Sequence, residues 1–195
     1  MASEVDICNL ALTHIRSQPD VISINPAEGG VKAEQCALYF GKARRYVLRS
    51  HVWSFANTYR ALALLDETPI NGWTYVYAMP SDCLRPVHLF SPDSTEPQRF
   101  ERGIIGDTQV IYCDIETPTL RYVKDVTDPN AFDSQFIMAL SFYLASLLAM
   151  PITGDIGLAD VMNSRYLMYA SQSAATSAYE TNPKTTYTAS WISAR

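Results

Sequence analysis

The sequence predicts an α+β protein, mainly α, with a four-helix bundle core, an inserted small antiparallel β-sheet and an extended C-terminal tail. Three observations carry that expectation. Apolar residues recur at helical spacing up to about residue 57 and again from 127 onward, short extended runs bounded by turn formers fill the interval, and residues 183–195 show no periodicity. The expected organisation is one domain over 1–182, with helical parts 1–57 and 127–182 around a β insertion at 58–126, followed by the tail at 183–195. A chain of 195 residues that is 48% hydrophobic has enough apolar surface to bury such a core.

Taking the elements in order, Ser3 followed by Asp6 predicts a capping box, and Val5, Cys8, Leu12 and Ile15 then fall near one face of a helix from Glu4 to Arg16. Residues 17–30, SQPDVISINPAEGG, are dense in turn formers and read as a loop. A second helix over Val31 to Ser50 keeps Ala33, Cys36, Ala37, Phe40, Ala43 and Val47 at i, i+3, i+4 spacing. Tyr59 to Leu65 reads as a strand leading through a turn to Trp73–Ala78, whose period-two pattern puts Trp73, Tyr75 and Tyr77 on one aromatic face. Pro80 ends that strand. Val87–Phe90, Gln98–Arg102, Gln109–Cys113 and Thr119–Val126 are four more extended candidates, spaced as an antiparallel meander. Asp128-Pro129 predicts the start of a third helix, apolar almost all round and closed by Pro151 and Gly154, with a fourth from Ile156 to Tyr179. The tail keeps Tyr187, Trp191 and Ile192 in a polar setting, a pattern that suggests docking either on the chain's own body or on a partner, the partner being favoured because so polar a tail offers its own core little to hold.

Charge and cysteine usage exclude several classes. The net charge of −5 argues against nonspecific nucleic-acid binding by the chain as a whole. Within Lys32 to Arg60, however, Lys32, Lys42, Arg44, Arg45, Arg49 and Arg60 face only Glu34, so one basic helix sits in an acidic chain. Solvation or pairing within the chain is the ordinary fate of such arginines; a contact with a neighbouring subunit through Arg44, Arg45 or Arg49 is the functional alternative. The four cysteines are widely spaced and read as free thiols of a reducing compartment. The run Phe136 to Met150 is broken by serines and falls short of a bilayer span, so no membrane anchor is expected.

No phosphate loop, zinc spacing, nucleophile elbow or metalloprotease motif is present, so no catalytic residue, cofactor or metal is expected. His14, His51 and His88 are far apart in sequence. Cys83 next to Asp82, with His88 five residues on, reads as a packed thiol rather than a nucleophile. Asp66, Glu67, Asp114 and Glu116 are the acids that a glycan hydrolase would have to use, and their turn-rich setting reads as solvated.

Five stretches together carry a family resemblance: SEVDICNLALTHI (residues 3–15), EGG (28–30), the run from Cys36 to Ala56 containing ARRYVLRSHVWSFA, WTYVYAMPSDCLRP (73–86), and FDSQFIMAL with LAMPITGD between Phe132 and Asp155. In this combination and order the chain resembles the head-to-tail adaptor proteins of short-tailed bacteriophages, the tail tubular protein A or tail accessory factor group. The resemblance implies a structural virion protein forming a dodecameric ring between the portal protein and a tail nozzle of the tail tubular protein B type. Such a ring extends the DNA channel without specific DNA binding and helps to retain and eject the genome. It further implies that the C-terminal segment, here with Tyr187, Trp191, Ile192 and Arg195, reaches along the portal. A cell-wall glycan hydrolase carried in the tail is the alternative that the resemblance admits.

Overall fold

The computed structural model describes residues 2–28 and 30–180, with side chains to residue 172. The tail residues Tyr187, Trp191, Ile192 and Arg195 lie outside the described residues. Four helices, α1 (Glu4–His14), α2 (Val31–Ser50), α3 (Ser134–Thr153) and α4 (Ile156–Glu180), accompany nine strands. The strands are β1 (Ser23–Ile24), β2 (Ala27–Glu28), β3 (Asn57–Ala61), β4 (Ala63–Leu64), β5 (Tyr75–Ala78), β6 (Cys83–Phe90), β7 (Glu101–Ile105), β8 (Thr108–Cys113) and β9 (Thr119–Lys124).

Helix α1 begins where its sequence dictates. Asp6 N donates to Ser3 Oγ at 3.0 Å and Ser3 N donates to Asp6 Oδ2 at 2.9 Å, a reciprocal cap that satisfies two N-terminal amides. The following loop is pinned back on this helix, since Asn9 Nδ2 donates to Val21 O and Val21 N donates to Asn9 Oδ1. It also contains the small hairpin β1–β2, which turn composition alone did not reveal.

Helix α3 is the centre of the helical part, packing against α1, α2 and α4. Phe136, Ala139, Leu140, Leu144, Ala145 and Leu148 are fully buried along it. Its 20 residues contain an 18-residue window with mean hydropathy of 1.9, long and apolar enough to cross a membrane by length and composition, and here the helix is the shared core of three neighbouring helices. The helix starts at Ser134 and not at Pro129. Asp128 caps only a 3₁₀ turn over Pro129–Ala131, and a second cap, Asp133, accepts from Phe136 N at 2.6 Å and starts α3. Pro151 lies within the last turn, and Gly154 ends the helix with φ 71° and ψ 7°, a left-handed cap that favours glycine.

The β insertion corrects the expected fold class. In place of a four-helix bundle with one small sheet, the chain is a mixed α/β fold with three sheets: β1–β2, β3–β9–β6 and β4–β5–β8–β7. The meander is also corrected, because β9 returns between β3 and β6, and β8 lies between β5 and β7. The stretch expected as one strand, Tyr59–Leu65, changes sheets at Leu62, whose N–H donates to Pro118 O while β3 pairs with β9 and β4 with β5. The two larger sheets pack face to face through Tyr77, Ile111 and Cys113 on one side and Leu89, Leu120 and Tyr122 on the other. Tyr75 and Tyr77 share the face between the sheets, as the alternation predicts, whereas Trp73, which precedes β5, packs on the opposite face with Val76, Val110 and Tyr112.

Two glycines give opposite expectations. Gly41 lies mid-helix with nothing within 4 Å of an added Cβ, so Gly41→Ala should raise stability by about 0.5–1 kcal/mol. At Gly103 an added Cβ would sit 2.5 Å from Cε2 of buried Tyr112, so Gly103→Ala should cost about 1–3 kcal/mol. Urea unfolding midpoints of the two variants measure both.

Candidate functional site

The chain leaves the helical part once, after α2, and returns once, before α3. At this neck Trp53 is buried and donates Nε1–H to Val47 O at 2.9 Å, fixing the exit path. Its ring meets Phe136 edge-on at 5.1 Å, and Phe55, Phe132 and Phe136 close the cluster with centroid separations of 4.8 to 5.8 Å. Outgoing residues 53–55 and returning residues 132–136 therefore form one aromatic joint.

A charged joint lies beside it. As β9 ends, Asp125 N donates to Asp82 O at 2.8 Å, which aims the Asp125 carboxylate at α2. Its Oδ1 lies 2.9 Å from Arg44 Nη2, its Oδ2 accepts from Arg45 Nε at 2.8 Å, and Arg44 Nη1 donates to Val126 O at 2.6 Å. Arg44 is only 6% exposed, so the helix that is basic on its outside buries one of its cations inside the neck. Burial holds the Arg44 guanidinium below its ordinary value, and Asp125 opposes that shift. Of the three arginines expected at a subunit contact, Arg44 is thus committed within the chain, Arg45 shares its carboxylate from an exposed position, and Arg49 is exposed with no ion pair among the described residues.

Asp82 serves the same region: it accepts from Tyr122 OH at 3.0 Å, with Lys124 and Arg60 at 3.9 and 4.0 Å. The sequence draws attention to Asp82 only as the neighbour of Cys83, and to Asp125 not at all. Nothing local marks an acid as the partner of an arginine some eighty positions earlier.

The other sequence candidates are dispersed. Cys83 and His88 are separated on β6 by two register shifts and pair with Lys124 and Arg121 of β9, roughly 10 Å apart along that strand, and burial pushes the Cys83 thiol up to about 11, so it stays protonated at neutral pH. His14 stacks on Phe142 at 4.1 Å with Nε2 3.1 Å from Ser141 Oγ, His51 meets Trp53 edge-on, and His88 lies by Phe90. No group of three His, Cys, Asp or Glu side chains able to hold a metal occurs among the described residues. Asp66, Glu67 and Glu116 are exposed on loops, and Asp114 accepts from Thr74 N and Oγ1 at 3.0 and 2.8 Å. All four cysteines are free. No protein-family model matches the sequence, and no curated protein matches it either.

Removing Asp125 leaves Arg44 buried without its counter-ion, so Asp125→Ala should cost about 3–5 kcal/mol, whereas Arg45→Ala, at an exposed position, should cost less than about 1 kcal/mol. Chemical denaturation of both variants compares the two.

A pH effect follows from the histidines. His14 is held below its ordinary 6.5 by burial and then by Arg165; His51 by burial and then by Arg85, with Asp133 opposing. Each folds as the neutral form. The stability they permit is fully present above 6.5, the unfolded value, and is lost as pH falls through the lower folded value. Thermal melts between about pH 7 and pH 5 should show a shallower decline for the His14→Gln, His51→Gln double variant than for the native chain.

Proposed function

We propose that the chain is a structural virion protein, a head-to-tail adaptor whose ring joins a portal to a tail nozzle, extends the DNA channel and helps to retain and eject the genome. One observation carries this reading. Segments that bear the resemblance, although far apart in sequence, converge on the neck: Arg44, Arg45 and Trp53 from one, Asp82 from the second, and Phe132 and Phe136 from the third. They set the position of a β-sandwich on a helical body. Residues that fix the relative placement of two parts are what a ring subunit requires, since any error in shape is multiplied around the circle.

In this reading the tail with Tyr187, Trp191, Ile192 and Arg195 is the portal-binding segment, the ring is a dodecamer, and DNA passes without being gripped. An acidic channel wall would favour that passage, because cations on it would bind phosphate. Light scattering of the full chain mixed with purified portal rings should show a closed ring added to the portal, and a variant ending at Asn182 should add nothing. Failure of both to bind portal would overturn the adaptor reading; peptidoglycan turnover that is lost on substitution of Asp66, Glu67, Asp114 and Glu116 would replace it with a hydrolase.

A further inference from the structure

Charge is sorted along the β-sandwich. At the end away from the helices, the loops 65–74, 91–101 and 114–118 come together: Thr74 is held by Asp114, Tyr77 OH donates to the carbonyls of Ile115 and Glu116, Trp73 Nε1 donates to Glu101 Oε2, and Phe90 pairs with Thr119. These three loops carry seven carboxylates and a single cation, Arg99, which lies over the Trp73 ring. Asp66, Glu96 and Glu116 on them are exposed and in no ion pair among the described residues.

The opposite pattern holds where α2 meets β6. Arg49 in the last turn of α2, half-buried Arg85 on β6 and, from the facing sheet, Arg102 on β7 in register with inward-facing Ile111 have no ion pair among the described residues. Arg49 is near enough to Arg85 to add to the lowering that burial produces, and Cys83, two residues before Arg85, feels Arg102, then the carboxylate of adjoining Asp82, then Arg49. His51, next to this group, has a buried Nε2 with no hydrogen-bond partner. The nearby carboxylate of Asp82 is already shared by Tyr122, Lys124 and Arg60 and forms no ion pair with these three arginines, so an anionic surface seated on them relieves their repulsion and the lost hydration.

We infer that the acidic sandwich tip of one copy seats on Arg49, Arg85 and Arg102 of the next copy. The contact is heterologous, using two different patches of one chain, and closes only by rotation into a ring. It rests on the adaptor reading for ring formation. It also sets an orientation: the long axis of the sandwich runs along the circumference, tip to seat, and Arg49 carries the intersubunit role while Arg44 stays inside the neck.

The test is a charge exchange in the full chain. One variant reverses the seat (Arg49→Glu, Arg85→Glu), a second reverses the tip (Asp66→Lys, Glu96→Lys, Glu116→Lys), and a third carries both sets. Sedimentation velocity of each chain alone reads self-association, and light scattering with portal rings reads portal binding. Each single reversal should weaken self-association on the order of tenfold or more, high salt should weaken the native contact, and the combined variant should recover it. A neutral seat variant, Arg49→Gln with Arg85→Gln, keeps the test valid should a reversal impair folding, and it should weaken association as well. Native chains that do not self-associate, single reversals without effect, or a combined variant that does not recover would each overturn the contact. If the native chain adds to portal while the reversals change nothing, the tip-to-seat contact fails and the adaptor reading stands. If the exchange pattern appears but no form binds portal, the self-contact stands and the adaptor reading fails.

Discussion

The position of the whole β part depends on one carboxylate. Asp125 is held between Arg44 and Arg45 at the point where the chain re-enters the helical body, and its side chain is 13% exposed. A charge this far from water is tolerated only with a close counter-ion, so the pair acts less as a source of net stability than as a demand for one geometry. Adjacent residues on a helix point in directions about 100° apart, and gripping one carboxylate from both fixes how α2 is rotated about its axis. The aromatic joint of Trp53, Phe55, Phe132 and Phe136 supplies the dispersion and apolar burial beside it, while the ion pair supplies direction.

The elements set by local chemistry were legible in the sequence. The Ser3–Asp6 box, the span of α2 and the glycine cap after α3 all arise from residues within a turn or two of each other. What was not legible is pairing across distance. Alternation in a strand says which residues share a face and is silent about the neighbour, so nothing in the Thr119–Lys124 pattern required β9 to lie between β3 and β6. Leu62 reads as one apolar residue in a strand, and only the carbonyl of Pro118 makes it a corner between two sheets. The candidate residues divide in the same way: the basic character of α2 was plain, but which of its arginines turns inward was decided by Asp125, a residue with no local signature.

Surface charge follows this architecture. Arg44, Arg45, Arg49 and Arg85 outnumber Asp82 and Asp125 where the helices meet the sheet, and carboxylates outnumber the lone Arg99 on the loops at the other end of the sandwich, so the chain has electrical polarity along its length. A polar body of this kind approaches another in a preferred orientation before any contact forms, and salt weakens that preference over a distance of about 10 Å or less at physiological strength. The apolar content, by contrast, is largely confined to α3 and the space between the two sheets, where it decides folding rather than recognition.

The pairing of β3 with β9 has a further consequence. The first and last strands of the insertion lie side by side, with Asn57 opposite Val123, so the places where the chain departs and returns are only about 5 Å apart. From the viewpoint of the helices, some sixty-five intervening residues are equivalent to a tight turn. Such a segment is a cassette: over evolutionary time it can lengthen, shorten or be exchanged for another fold while the helices keep their packing, provided the incoming piece offers two adjacent ends and leaves Asp125, just beyond Val123, in place against Arg44. Divergence among chains sharing this helical body would then concentrate in the sandwich and leave the neck as their common mark.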